Sequence, residues 1–194
     1  AIDKAQAVIE FDLTGKILRA NPNFLAVAGY SSEELVGKHH RIFLSEEDRS
    51  GPAYGQFWEK LRRGEYEEGR YRRIAKSGKS FWIQASYNPI LDAMGVPWKI
   101  VKYAFDISAN KANEDQMEFA IAEVGTVVAA AKSRDLTRRI PLQNLNTKNA
   151  ALCEGVNELV DTLASIVGQV AVAAQAIDTA AKVISMGADD LSKR

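Results

Sequence analysis

The spacing of hydrophobic and polar positions changes once along this chain, near residue 108, and the change divides it into two regions. Before it, apolar residues alternate with polar ones in short runs bounded by turn residues; after it, they recur every three to four positions. Residues 7–12 and 16–20 are alternating runs joined by Leu13-Thr14-Gly15, a hairpin signal. Asn21 then reads as a cap in front of Pro22, with Phe24, Leu25 and Ala28 at helical spacing behind it. Ser31-Ser32-Glu33-Glu34 has the cap-then-acid pattern of a second short helix, closed by Gly37. Past Gly51-Pro52, the residues Tyr54, Phe57, Trp58 and Leu61 share one helical face that Gly64 ends. Strands are predicted over 67–75, 80–91 and 98–106. Two strands, several small helices and three strands predict an α+β unit: a five-stranded antiparallel sheet with short flanking helices on one face.

In the second region a heptad register can be counted. Leu152, Val156, Leu159, Leu163, Ile166, Val170, Ala173, Ile177, Ala180 and Ile184 fall at alternating spacings of four and three, and Leu191 keeps the phase beyond Gly187. A shorter run, Met117, Ile121, Val124, Val128 and Ala131, precedes a connector that holds Pro141 and is rich in asparagine. This region is expected to be all-α, two helices joined by a connector, with a coiled-coil seam along the second.

Composition sharpens the division. All three Trp and all six Tyr precede residue 108, and Phe119 is the one aromatic residue after it. Lys plus Arg and Asp plus Glu balance at 25 each, which argues against nucleic acid as a partner, because neutralising phosphates needs a clustered positive excess. The single Cys153 cannot form an internal disulfide and points to a reducing, cytoplasmic setting. No long uncharged apolar run is evident, and Asp3 and Lys4 stand where a secretory peptide would be apolar, so no membrane segment is expected. The ending in mid-heptad reads as that of a fragment.

Ile17-Leu18-Arg19-Ala20-Asn21-Pro22-Asn23-Phe24, the stretch from Gly29-Tyr30-Ser31 to Val36-Gly37-Lys38, and the closing Asp106-Ile107-Ser108 together resemble a PAS domain with its C-terminal signalling tripeptide. His39-His40-Arg41-Ile42-Phe43, Phe57-Trp58 and the run from Trp82 to Ile90 resemble the PAS subtype of soluble methyl-accepting chemotaxis receptors and of the aerotaxis receptor. The helical region resembles a HAMP-type linker, and residues 184–192 resemble the start of a chemoreceptor signalling rod. The resemblance implies a PAS sensor over residues 1–110, a HAMP-like segment over 111–168 and the beginning of a rod over 169–194. It further implies a homodimer acting on a chemotaxis histidine kinase and its adaptor through parts absent from this sequence.

No enzyme reading gathers enough residues, since the chain has no phosphate-binding loop, no metal spacing beyond the adjacent histidines and no nucleophile beside a base. A sensor is expected instead, responding to oxygen or redox state. For its chemistry the resemblance favours haem b, held by His39 or His40, the only histidines in the chain; a solvated connection is the plainer reading of that pair, and the two stand level. Flavin, as FAD, is the alternative, with Trp58 against the ring and Asn21 in hydrogen-bonding reach. The plainer reading makes Trp58 a core residue of its helical stripe and Asn21 a helix cap. Trp82 and its neighbours Gln84 and Ser86 are candidates only if their face of the strand turns inward. A third reading has no cofactor, the PAS part being a dimerisation and relay module. Asp106 and Ser108 are the expected signalling residues, Asp106 through capping of the following helix or pairing with a basic residue.

Overall fold

The computed structural model describes residues 6–192, and the chain divides into two compact units, Ala1–Ala112 and Asn113–Arg194. Strands β1 (Ala7–Phe11) and β2 (Ile17–Ala20) form the expected hairpin. The Asp12 carboxylate closes its turn by accepting the Thr14 and Lys16 amides at 2.8 and 2.9 Å. Helix α1 (Pro22–Ala28) follows, then α2 (Ser32–Leu35), a 3-10 turn (His40–Phe43), α3 (Glu46–Ser50) and α4 (Pro52–Arg62). Strands β3 (Glu67–Ile74), β4 (Ser80–Leu91) and β5 (Pro97–Asp106) complete a five-stranded antiparallel sheet in the order β2-β1-β5-β4-β3. All five strands fall within a residue of the bounds their alternation predicts. The 3-10 turn and α3 were not predicted; they are short, and α3 depends on a single local cap, the Ser45 hydroxyl accepting the Asp48 amide at 3.1 Å.

One face of the sheet carries the core. Ile9, Phe11, Ile83, Tyr87 and Ile100 from the strands meet Phe24, Leu35, Phe43 and Leu61 from the helices, all but excluded from solvent. Burying each such side chain contributes roughly 1.5–3 kcal/mol. Asn21 ties a helix to this sheet as well as capping it: its Oδ1 accepts the Phe24 and Val8 amides, each at 2.9 Å, and its Nδ2 donates to the Gln6 carbonyl at 2.8 Å. The α2 capping box forms as its sequence predicts, Ser31 and Glu34 each satisfying the other's amide.

The second unit contains most of α5 (Ser108–Lys132), a connector, and α6 (Thr147–Ser192). The Asn146 amide at the head of α6 donates to Gln116 Oε1 near the head of α5 at 2.8 Å, and Ala120 and Val127 pack with Cys153 and Val160 in one cluster. Positions that advance together along both helices mean that the two run in the same direction, with the connector returning between them. Ile140 pins that connector, donating its amide to Asn157 Oδ1 (2.9 Å) and accepting from Asn157 Nδ2 (3.1 Å), with its side chain in the cluster.

The covered face within one chain, Ala120, Val124 and Val127 against Cys153, Val156 and Val160, is offset from most of the heptad seam. Leu152, Leu159, Leu163, Ile166, Val170 and Ile177 stand exposed, Leu159 at 65% and Ile177 at 71%. The side chain of Leu191, the last of the series, lies outside the described residues. Contrary to the expectation of no candidate membrane segment, the stretch Thr147–Met186 of α6 is long and apolar enough to cross a bilayer by length and composition, since the run between Asp161 and Asp178 is uncharged.

Candidate functional site

His40 is fully buried at the centre of the first unit. Its position follows from the local fold: an isolated antiparallel bridge pairs His39 with Lys16, just ahead of β2, and the 3-10 turn then drives the next side chain inward. Both ring nitrogens are engaged, Nδ1 with the Tyr54 hydroxyl and Nε2 with the Tyr87 hydroxyl, each at 3.1 Å. The rings of Tyr54 and Phe57 lie nearly parallel to the imidazole, at 5.8 and 6.1 Å between centroids, while Phe11, Trp58 and Tyr87 meet it edge-on. Burial holds the His40 imidazole well below its ordinary pKa, and the nearby Arg73 and Lys102 push it further down.

Lys102 is the unexpected member. On β5 it shares the inward phase with Ile100 and Ala104, and in the ladder it sits between Tyr87 and Ile9. Its side chain is fully buried, with Nζ 5.0 Å from the Tyr87 ring centroid and 5.4 Å from that of Phe24. Burial pushes its pKa down to about 8. Arg73, on β3, lies close by; its Nη2 donates to the Tyr87 hydroxyl at 3.3 Å and its guanidinium lies 4.7 Å from the Tyr71 ring centroid. Burial works to raise the Tyr87 hydroxyl, but Lys102 and Arg73 outweigh it and hold the group below its ordinary value. Tyr54, Tyr87, Arg73 and Lys102 were not singled out from the sequence, although the alternation of β5 already placed Lys102 in phase with two core positions.

The other candidates lie apart. His39 is half-buried; its Nδ1 accepts the Arg41 amide at 3.2 Å, so its Nε2 carries the proton and donates to the Thr14 carbonyl at 2.8 Å. Neither histidine therefore offers a free nitrogen lone pair to a haem iron, and as arranged the pair does not fit haem ligation. Trp58 is buried, and the rings of Phe11, Phe57 and His40 pack against its indole at 5.6–5.8 Å between centroids. Asn21 has its side chain committed to the backbone contacts given above. Trp82 stands on the sheet face opposite the core, since its neighbours Phe81 and Ile83 fill the inward phase.

Trp82 nevertheless anchors the exit from the sheet. Its carbonyl accepts the Ile107 amide and its amide donates to the Ser108 hydroxyl, both at 2.9 Å. The Ser108 amide donates in turn to Asp106 Oδ1 at 2.8 Å, and Lys111 Nζ lies 5.9 Å from the Trp82 ring centroid. Among the described residues the Asp106 carboxylate has this backbone partner and no basic one. The first turn of α5 is thus clamped to β4, whose inward residues include Tyr87.

A five-stranded antiparallel sheet in this order, with short helices over one face and a clamped exit strand, defines the PAS class, and residues 17–104 match the family model of the PAS fold. The first unit is a PAS domain. In sequence it is similar to the biofilm dispersion protein BdlA of Pseudomonas aeruginosa, 47% identical over 108 residues, which span 56% of this chain and 26% of that protein. It is also similar to the aerotaxis receptor of Escherichia coli, 31% identical over 80 residues, 41% of this chain and 16% of the receptor. The chain thus spans about a quarter or less of the length of these two relatives. Among solved structures it resembles the PAS domain of a protein from Colwellia psychrerythraea, with a TM-score of 0.50 at 22% identity, covering 56% of this chain and 92% of that one.

Proposed function

We propose that this chain is a non-catalytic sensor and transmitter of the chemotaxis-receptor type, and that its PAS core acts by ligand-dependent packing rather than through haem or flavin. The clamp of Ile107 and Ser108 onto Trp82 carries the reading. A change around Tyr87 alters the strain on β4, and β4 holds the first turn of α5 through two hydrogen bonds. Asp106 and Ser108 are the signalling residues of this relay. Of the three sensing modes open from the sequence, the ring-filled surroundings of His40 and Trp58 support the one without a planar cofactor.

Downstream, the parallel run of α5 and α6 supports a HAMP-like segment, and the exposed heptad seam supports a parallel homodimer in which two copies cover each other's apolar stripes. The dimer would act in the cytoplasm on a chemotaxis histidine kinase and its adaptor. Two measurements on the purified chain test the proposal. Light scattering is expected to return a dimer mass, and a monomer, or flotation with phospholipid vesicles, overturns the coiled-coil reading. The absorbance spectrum is expected to lack Soret and flavin bands, and either band overturns the cofactor-free core.

A further inference from the structure

Three buried side-chain donors in the PAS core lack an acceptor in hydrogen-bonding geometry among the described residues, Lys102 Nζ, Arg73 Nε and Trp58 Nε1, with the Tyr87 hydroxyl near Lys102 and the Tyr54 hydroxyl near Trp58. Each belongs to a side chain more than nine-tenths buried, and among the described residues no acid is buried with them. Arg73 donates through Nη1 to the Arg72 carbonyl at 2.8 Å and through Nη2 to the Tyr87 hydroxyl, and Lys102 lies over the Tyr87 and Phe24 rings, but no carboxylate balances the two buried cations, an arrangement that works against the stability of the core. Arginine cannot escape by losing its proton.

Beside these groups a cleft of about 370 Å³ opens to the surface between α4 and β3. Arg73 and His40 form part of its wall, with Tyr54, Phe57, Tyr71 and Leu44 supplying aromatic and aliphatic surface. Of the acids at the cleft, Glu67 is paired with Lys60 and Asp48 accepts the Ser45 hydroxyl at 2.8 Å. A volume of this size suits one small ring, and the lining suits an apolar body with a single charged end.

We infer that this cleft binds a small aromatic carboxylate, its carboxylate on Arg73 and its ring among Tyr54, Phe57 and Tyr71. The bound anion supplies the countercharge that the core lacks, engages the guanidinium of Arg73 in the cleft wall by charge-assisted hydrogen bonding, and is attracted by Lys102 from behind Tyr87. Because Arg73 also donates to the Tyr87 hydroxyl, binding shifts that bond and, through Tyr87, β4. The site rests on the sensor reading above and supplies its stimulus.

Isothermal titration calorimetry of the whole chain with benzoate, and with its neutral isostere benzamide, tests the site. Benzoate is expected to bind and benzamide to bind at least tenfold more weakly, the margin of a charge-assisted hydrogen bond. In Arg73→Met, benzoate affinity falls by a similar factor while the circular dichroism of the fold is retained. Equal binding of the two probes, no benzoate binding, or undiminished benzoate binding by Arg73→Met overturns the site. The probe pair on the unaltered chain keeps the test valid should the variant fail to fold. Failure of the relay is read separately: benzoate that binds but leaves hydrogen exchange in α5 unchanged overturns the coupling and leaves the site standing.

Discussion

The two units of this chain treat apolar surface in opposite ways. The PAS unit closes its own core, so that Ile9, Phe11, Leu35, Tyr87 and Ile100 are all but excluded from solvent, and it admits charge into that core at Lys102 and Arg73. The helical unit covers only a narrow stripe centred on Ala120, Val127, Cys153 and Val160 and leaves its leucine and isoleucine seam open. A domain that closes on itself can tolerate a strained interior and use it to register a stimulus. In the reading proposed above, a helix pair that does not close is completed by a second copy, and its response is a change in how two chains pack.

The largest effect should come from the open seam. Replacing Leu159 and Ile166 together with Glu places four like charges in a paired seam and should convert the dimer to a monomer, read by light scattering or sedimentation, while the near-ultraviolet spectrum of the PAS unit stays unchanged. If the pair of substitutions leaves the mass unaltered, the two units do not differ in the way described.

The next effect probes the strained interior. Lys102→Met removes an uncompensated buried charge and should stabilise the PAS unit at pH 7, by about 3 kcal/mol if the full displacement of the Lys102 pKa from 10.5 to about 8 is recovered. The sign with pH follows from that displacement. A lysine whose folded pKa is depressed destabilises fully below about pH 8, and the penalty fades as pH rises toward 10.5, because the unfolded chain binds the extra proton in that window. The advantage of Lys102→Met over the unaltered protein, measured by urea titration, should therefore shrink between pH 8 and pH 10. A constant advantage would mean that Lys102 acts by shape and not by charge.

A smaller effect separates capping from sensing at Asn21. Removing its side chain in Asn21→Ala deprives the Val8 and Phe24 amides of their acceptor and should cost about 1–3 kcal/mol in urea titration, without changing benzoate affinity. A loss of affinity at unchanged stability would return Asn21 to the ligand site.

The sheet was legible because its signals are local. The alternation of 80–91 and 98–106, the turn at Asp12 to Lys16 and the Ser31–Glu34 capping box each involve residues within a few positions of one another. The site was not, because its members come from five separate elements. His40 was singled out as one of only two histidines, but its partners Tyr54 and Tyr87, and Arg73 bonded in turn to Tyr87, are fixed by strand order and by a 3-10 turn with no clear sequence signature. Lys102 reads as an ordinary strand lysine until β5 is known to be central in the sheet. Trp82 was expected near a cofactor and instead holds the exit to α5, because the face of a strand depends on which of its neighbours finds the core.

Hydrogen–deuterium exchange over residues 80–132 in the unaltered chain and in Tyr87→Phe tests the central claim most directly. Losing the Tyr87 hydroxyl removes the bonds from His40 and Arg73 while keeping the ring. The account predicts faster exchange in β4 that continues through Ile107 and Ser108 into the first turns of α5. A change that stops within the sheet and leaves the amides of 107–112 untouched would contradict a relay through the Trp82 clamp.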